Sequence, residues 1–543
     1  MRLSAETNRP VEWSFLSAAD YSDPFNDVQL DVEFTDPDGE VLRVPAFWAG
    51  GRQWRVRFSA RKAGVYQWRS VCSNEDDKGL HGVQGELSVE PYQGDNPLYL
   101  HGPLRVSNSG RYLEHADGTP FFWLGDTWWM GLCRRLSWPG DFQTLAADRV
   151  AKGFTVIQIV AGLYPDMGAY DPRGANEAGF PWEPEWARIN PAYFDMADLR
   201  INWLVEVGLL PCVLGCWGYY IHWLGVEKMK QHWRYIVARW GAYPVVWCLA
   251  GEVLMPWYLG RPKTPEAREE LESKTRQAWE EVATYVRQID PYHHPVTAHP
   301  STSARDHLSD EVLDFDMLQT GHGDRASLPS TVDKVVKSYS RESVMPVVNG
   351  EVCYEGIGEA CRQEVQRLMF WVSMLSGAKG FTYGANGIWQ VNRPGDPFGP
   401  SPHGMSWGNT PWQEAYQLPG SRQLGMAKAL LQRYRWWEFE PHPEWVDPHW
   451  TPDNYMRPYA AGIAGQVRII FIPQLAVWSP PVRVCQLEQG VSYRAFWVNP
   501  ATGEEIDVGQ ISPDEQGSWT LPPAPIYQDW LMVLETPETR VGA

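Results

Sequence analysis

Val245-Val246-Trp247-Cys248-Leu249-Ala250-Gly251-Glu252 is an unbroken apolar run that stops on a single carboxylate. A strand with one buried face alternates apolar and polar residues, whereas a strand covered on both faces, as in a parallel sheet under helices, reads as a continuous hydrophobic stretch. The pattern recurs at Pro346-Val347-Val348-Asn349-Gly350-Glu351, again closing on Glu. Working outward, comparable runs stand at Phe121–Leu124, Thr155–Val160, Leu209–Leu214, Val296–His299, Phe315–Gln319 and Gly380–Tyr383; with Val245–Leu249 and Val347–Asn349 they make eight. Helical segments are expected between them at Asp141–Lys152, Pro191–Val207, Val226–Trp240, Thr264–Gln288, Val332–Ser340 and Gly358–Leu375, with a short polar fifth at Ser301–Val312. Thr264-Pro265 reads as an N-cap with proline at the first helical position. Eight strand-helix units predict an α/β fold, a closed (β/α)8 TIM barrel over residues 96–435.

The flanks read differently. Over residues 1–95, Val28, Leu30, Val32 and Phe34 alternate with Gln29, Asp31 and Glu33, the turn Asp36-Pro37-Asp38-Gly39 follows, and further alternations come at Trp54–Phe58 and Val65–Cys72. Short punctuated strands of this kind predict an immunoglobulin-like antiparallel sandwich. Asp36–Glu40 reads as a solvated turn ahead of a calcium loop. After residue 436, Val467–Ile472, Tyr493–Val498 and Trp530–Leu534, with a turn at Asn499–Gly503, predict a second antiparallel sandwich over 436–543.

Composition narrows the function. The 543 residues are 44% hydrophobic and 21% charged, an ordinary globular balance. A net charge of −19 repels a phosphate backbone, so nucleic acid is not an expected partner. No apolar run is long enough to span a bilayer, so no membrane partner is expected either. Met1–Phe15 lacks the apolar core of a secretory signal, which places the chain as written in the cytoplasm, or in the periplasm or outside if a leader has been removed. The eight cysteines contain no CxxC pair and read as buried free thiols. Thirty tryptophans lean toward carbohydrate, because an indole offers a flat apolar face to the C–H side of a sugar ring. Oligomeric state is not legible.

Active sites of TIM barrels lie at the C-terminal ends of the strands. Glu252 after the fourth strand and Glu351 after the seventh would face each other across the mouth. Two carboxyls in that relation are what glycoside hydrolysis needs, one protonated toward the leaving oxygen and one ionised toward the anomeric carbon. Glu252 is assigned as acid/base and Glu351 as nucleophile; no cofactor or metal is called for. Dinucleotide, P-loop and zincin motifs are absent, and Gly404-Met405-Ser406-Trp407-Gly408, hemmed by prolines, reads as a loop and not a nucleophile elbow.

Three segments carry a family resemblance: Phe121-Phe122-Trp123-Leu124-Gly125-Asp126-Thr127-Trp128-Trp129, Ala250-Gly251-Glu252, and Asn349-Gly350-Glu351-Val352-Cys353-Tyr354-Glu355. They resemble the apiosidase-like barrel family, within the clan of retaining glycosidases that place the acid/base after strand four and the nucleophile after strand seven. The resemblance implies a β-sandwich on each side of the barrel and hydrolysis of a carbohydrate. Two departures stand out: the clan usually has Asn before the acid/base where this chain has Gly251, and apiosidase members use Asp where this chain has Glu252.

Strand-end residues expected to line a sugar site are Asp126, Trp128 and Trp129 after strand one, Gln158 on strand two, Trp217 after strand three, His299 ending strand five, His322 after strand six, Tyr354 near the nucleophile and Trp389 after strand eight. Glu355 reads as a third cleft carboxylate or, in preference, a solvated charge. The aromatic loop of Tyr164, Tyr170, Phe180, Trp182 and Trp186 is expected to form a stacking wall. A different class also fits the sequence: a catalytically silent carbohydrate-binding protein on the same barrel.

Overall fold

The computed structural model describes residues 2–255, 262–402, 404–477 and 481–541. Its centre is one parallel sheet of eight strands, β1 (Trp123–Trp128), β2 (Val156–Val160), β3 (Leu210–Leu214), β4 (Val246–Cys248), β5 (Val296–Thr297), β6 (Asp316–Gln319), β7 (Val347–Glu351) and β8 (Gly380–Tyr383), in the order β5-β4-β3-β2-β1-β8-β7-β6. The sheet curls until its edges meet. Asp314 N donates to Val296 O at 2.8 Å, and Thr297 Oγ1 donates to Phe315 O at 2.9 Å, which ties β5 to β6 and nearly closes the barrel.

Around it run α1 (Gly140–Ala151), α2 (Pro191–Glu206), α3 (Tyr220–Trp240), α4 (Pro265–Ile289), α5 (Ala304–His307), α6 (Leu328–Tyr339), α7 (Gln363–Leu375) and α8 (Pro419–Leu431). Thr264 caps α4 as expected, its side chain accepting from Ala267 N. The polar segment after β5 forms only the four-residue α5. α3 starts earlier than expected, at Tyr220, and passes through a non-helical Gly225 at φ 77°. α8 is absent from the sequence reading because Pro419-Gly420 and Gly425 dilute its helical pattern. Gly425 is there for packing: a Cβ would lie 2.0 Å from Lys152 O at the end of α1.

The flanking sheets are antiparallel apart from one edge. At the N-terminus, Arg2–Glu6, Gln84–Glu90, Gly64–Cys72, Leu30–Thr35 and Val41–Pro45 form a five-stranded sheet, with Arg2–Glu6 parallel to its neighbour. It packs on the three-stranded sheet of Val11–Leu16, Gln53–Phe58 and Phe47–Trp48, where Phe34 stacks on Phe58 at 3.8 Å between ring centroids. The Asp36 turn is a turn: Asp36 Oδ1 accepts from the Asp38 and Glu40 amides at 2.9 Å, and Lys62 pairs with Asp36 and Asp38. Arg57 anchors this unit to the barrel, pairing with Asp198 of α2 and donating to Arg239 O of α3 at 2.7 Å.

In the C-terminal unit a six-stranded sheet runs in the order Glu440–Pro441, Tyr459–Ile463, Val467–Ile472, Trp530–Glu535, Tyr493–Val498, Glu505–Ile511. Its middle strands are buried along their whole length because one face meets the small sheet of Val446–Asp447, Arg483–Val484 and Trp519–Thr520 while the other packs on α7. Trp371 of α7 stacks on Phe471, and Arg367 of α7 forms a two-pronged pair with Asp529 at 2.7 and 2.8 Å. No helix among the described residues is long and apolar enough to cross a membrane.

Candidate active site

A cavity of about 540 Å³ opens at the C-terminal end of the barrel, lined by both Glu252 and Glu351. Its walls come from the loops after seven strands: Trp129 after β1, Pro165 and Asp166 after β2, Trp217 after β3, Glu252 and Met255 after β4, Gln319 and His322 on and after β6, Glu351, Tyr354 and Ile357 on and after β7, and Trp389, Met405 and Trp407 after β8. Among the described residues no cluster of His, Cys, Asp or Glu could hold a metal ion.

Glu252 is aimed by its backbone. β4 and β3 keep pairing past their ends, Gly251 N donating to Cys216 O at 2.9 Å and Gly218 N to Gly251 O at 2.7 Å. The chain then turns sharply at Glu252, φ 43°, a left-handed conformation that non-glycine residues seldom adopt. Trp217 Nε1 donates to Oε2 and Gln319 Nε2 to Oε1, each at 3.3 Å. Gly251 is dictated by the neighbouring indole, since a Cβ there would lie 2.2 Å from Trp217 Cε3. Gly251→Ala is therefore expected to displace Trp217, destabilise the fold by about 1–3 kcal/mol and release Glu252 from the indole. A thermal melt read beside an activity assay checks both effects, and an unchanged melt would refute the packing argument.

Glu351 ends β7 and is nearly sealed, 5% exposed. His322 Nε2 lies 2.9 Å from Oε1 in a hydrogen bond. His299 Nε2 lies 3.1 Å from Oε2, at ion-pair range but off the direction of a good hydrogen bond. Gln158 steadies the strand from inside the barrel, donating to Gly350 O at 3.0 Å.

These surroundings push the two carboxyls apart. Burial, and after it the charge of Glu351, raises Glu252 to about 7. Burial would raise Glu351 as well, but the imidazoles of His299 and His322 outweigh it and hold Glu351 well below the usual carboxylate range. His322 moves up, because its bond to Glu351 overcomes the effect of burial. Tyr354 accepts from Trp129 Nε1 at 3.0 Å, and burial together with the Glu351 charge keeps its phenol protonated. One carboxyl is thus disposed to hold a proton near neutrality and its neighbour to stay ionised.

Of the residues expected from sequence, Glu252, Glu351, Trp129, Trp217, His322, Tyr354 and Trp389 line the cavity, and His299 stands behind Glu351. Asp126, Trp128 and Gln158 do not reach it. β1 runs to Trp128, so Asp126 and Trp128 fall on its outward face, and both are fully buried. Asp126 pairs there with Arg149 of α1 at 2.5 Å and accepts from Trp128 Nε1 at 2.7 Å. Glu355 is neither in the cleft nor solvated: it is 1% exposed and bonded to Tyr383 OH and Gly420 N. The aromatic loop after β2 packs on itself and on Tyr220; Tyr164 bonds Tyr193, and Trp182 meets His232. Only Pro165 and Asp166 of that loop face the cavity.

Sequence reasoning missed Pro165, Asp166, Met255, Gln319, Ile357, Met405 and Trp407. Asp166, at φ 55°, accepts from Trp407 Nε1 at 3.0 Å, which joins the loops after β2 and β8 over the cavity. Trp407 belongs to the GxSxG segment, which is a loop as expected, with Ser406 exposed.

Residues 107–438, more than half of the chain, match the family of apiosidase-like catalytic domains. The chain belongs to the apiosidase-like family. It is a glycosidase, built on a (β/α)8 barrel with flanking β-sheet units. Residues 4–73 match a domain of unknown function, DUF5060. Among curated proteins none matches the chain. Solved structures share the architecture of this apiosidase-like protein. A glycoside hydrolase at 22% identity, TM-score 0.68, covers 82% of this chain and 99% of its own. A family 5 glycoside hydrolase from Bacteroides vulgatus ATCC 8482, 21% identical with TM-score 0.67, covers 82% and 95%. A second protein of that organism, provisionally assigned as a glycoside hydrolase, is 17% identical with TM-score 0.68 and covers 99% of this chain and all of its own. At these identities the likeness speaks for the fold.

Proposed function

We propose that this apiosidase-like protein hydrolyses a β-glycosidic bond with retention of configuration, Glu252 serving as acid/base and Glu351 as nucleophile. The observation that carries the reading is the placement of two carboxyls on one cavity in opposite surroundings: Glu351 sits against His299 and His322, which favour its ionised form, while Glu252 is buried beside the Glu351 charge, which favours its proton. In the first half-reaction the Glu252 proton passes to the leaving oxygen as Glu351 attacks the anomeric carbon, forming a glycosyl-enzyme ester. In the second, Glu252, now ionised, takes a proton from water as the water displaces Glu351. Trp129, Trp217, Tyr354 and Trp389 supply apolar and hydrogen-bonding surface for the sugar. Residues 1–95 and 436–543 serve as packed scaffold units around a catalytic unit of 96–435.

A panel of aryl β-glycosides, followed by the matching 2-deoxy-2-fluoro sugar, tests this. The expected result is turnover of one sugar series, time-dependent inactivation by its fluoro analogue, and a peptide mass shift on Glu351. Sugar binding without turnover on the whole panel would mark a binding protein, and an inverted product would remove the covalent step.

A further inference from the structure

Gln319 closes β6 at a bulge: the ladder pairs Leu318 with Asn349 and then Gln319 with Glu351, stepping over Gly350. Bulges re-aim side chains, and this one, whose extra residue is Gly350 of β7, brings Glu351 level with Gln319 at the barrel mouth. Its backbone is held on both sides, N–H donating to Thr302 O at 2.9 Å and the carbonyl accepting from Lys334 Nζ at 2.9 Å. The side chain lines the cavity and is only 8% exposed. Its two ends are unequally used. Nε2 donates to Glu252, while Oε1 is buried without a hydrogen-bond partner among the described residues. Buried acceptors in native proteins are almost always satisfied, so an orphan in a cavity wall points to a donor that arrives with the ligand.

The position of Gln319 limits which donor that is. It shares a rung with Glu351, which under the proposed function reaches the anomeric carbon, and it touches Glu252, which reaches the glycosidic oxygen. A group beside both carboxyls lies near the anomeric centre, which is flanked by the ring oxygen, an acceptor only, and by the carbon that bears the 2-hydroxyl; of the two, only the hydroxyl can donate to Oε1. We propose that Gln319 Oε1 accepts a hydrogen bond from the 2-hydroxyl of the sugar while Nε2 orients Glu252, so that the substrate class is glycosides with that hydroxyl free. The inference rests on the hydrolase reading. As positive charge develops at the anomeric carbon the 2-hydroxyl becomes a stronger donor, so the contact tightens in the transition state and acts on kcat more than on KM.

The test is a cycle with two substrates and two proteins: the aryl glycoside that the wild type hydrolyses fastest and its 2-deoxy counterpart, each with wild type and Gln319→Met. Intrinsic differences in substrate reactivity cancel in such a cycle. The Met variant is expected to lose roughly 10- to 100-fold in kcat/KM on the hydroxylated substrate and at least tenfold less on the deoxy substrate, with the difference in kcat. Equal losses on both substrates overturn the inference and leave Gln319 as a positioning residue for Glu252 alone. Gln319→Asn, which withdraws the amide by one methylene, gives the same readout if a melt shows the Met variant unfolded. Turnover of no aryl glycoside by the wild type overturns the hydrolase reading itself, an outcome distinct from turnover without coupling.

Discussion

Glu351→Ala is expected to lower kcat by roughly 10⁴- to 10⁶-fold, the range seen when an enzyme loses its nucleophile and keeps the rest of its site. Sodium azide should restore part of the rate on an activated aryl glycoside, because the small anion fits where the carboxylate stood. The recovered product should be a glycosyl azide of inverted configuration. Stability at neutral pH should fall: the imidazoles of His299 and His322 outweigh the cost of burying Glu351, and its removal leaves His322 without its partner. The control is therefore a thermal melt, and a variant that is folded at the assay temperature but turns over within tenfold of the parent would remove Glu351 from the chemistry. Rescue without inversion would leave Glu351 as an electrostatic group and not the attacking one.

The barrel was legible because strands covered on both faces lose their alternation, and Val245–Glu252 and Pro346–Glu351 each show that loss with a carboxylate at the end. The same feature hid the detail. With no alternation to give parity, β1 could be placed two to four residues early, and that slip turned Asp126 and Trp128 from outward-facing core residues into cavity candidates. Their true partners, Arg149 and Phe142, sit on α1 and are reachable only through the fold. The lean toward carbohydrate from tryptophan content agrees with a glycosidase, yet few of the indoles account for it. Ten of the largest fully buried side chains are indoles, and of the thirty tryptophans four face the cavity, so most of that composition fills the core. Gln319 and Asp166 were within reach of the strand-end argument itself: one is the last residue of β6, the other follows β2 by six positions. Trp407 was not, because its contact with Asp166 bridges loops 241 residues apart. The opposed titration was half legible. Two facing carboxyls imply it, but the histidines that enforce it come from the loops after strands five and six, and no spacing in the sequence links them to Glu351.

That titration leads to the pH dependence. With Glu252 needed as an acid and raised to about 7, kcat/KM should fall on the alkaline side with a midpoint near that value, while Glu351, held well below the ordinary range, imposes no acidic limb above pH 4 or so. Stability should carry the same signature. Unfolded, Glu252 titrates near 4.5; folded, near 7. Between those values the folded protein binds the extra proton, so this group's contribution is complete below pH 4.5, declines as pH rises, and is gone above pH 7. Glu252→Gln removes the dependence by making the side chain neutral throughout. At pH 8 the variant should be more stable than the parent by about 3 kcal/mol, the equivalent of the shift, and the gap should narrow toward zero near pH 4.5. Urea unfolding at pH 5 and pH 8 measures it. A gap of equal size at both values would mean that Glu252 titrates as an ordinary carboxylate, and then neither the alkaline limb nor an acid role for Glu252 at neutral pH would stand.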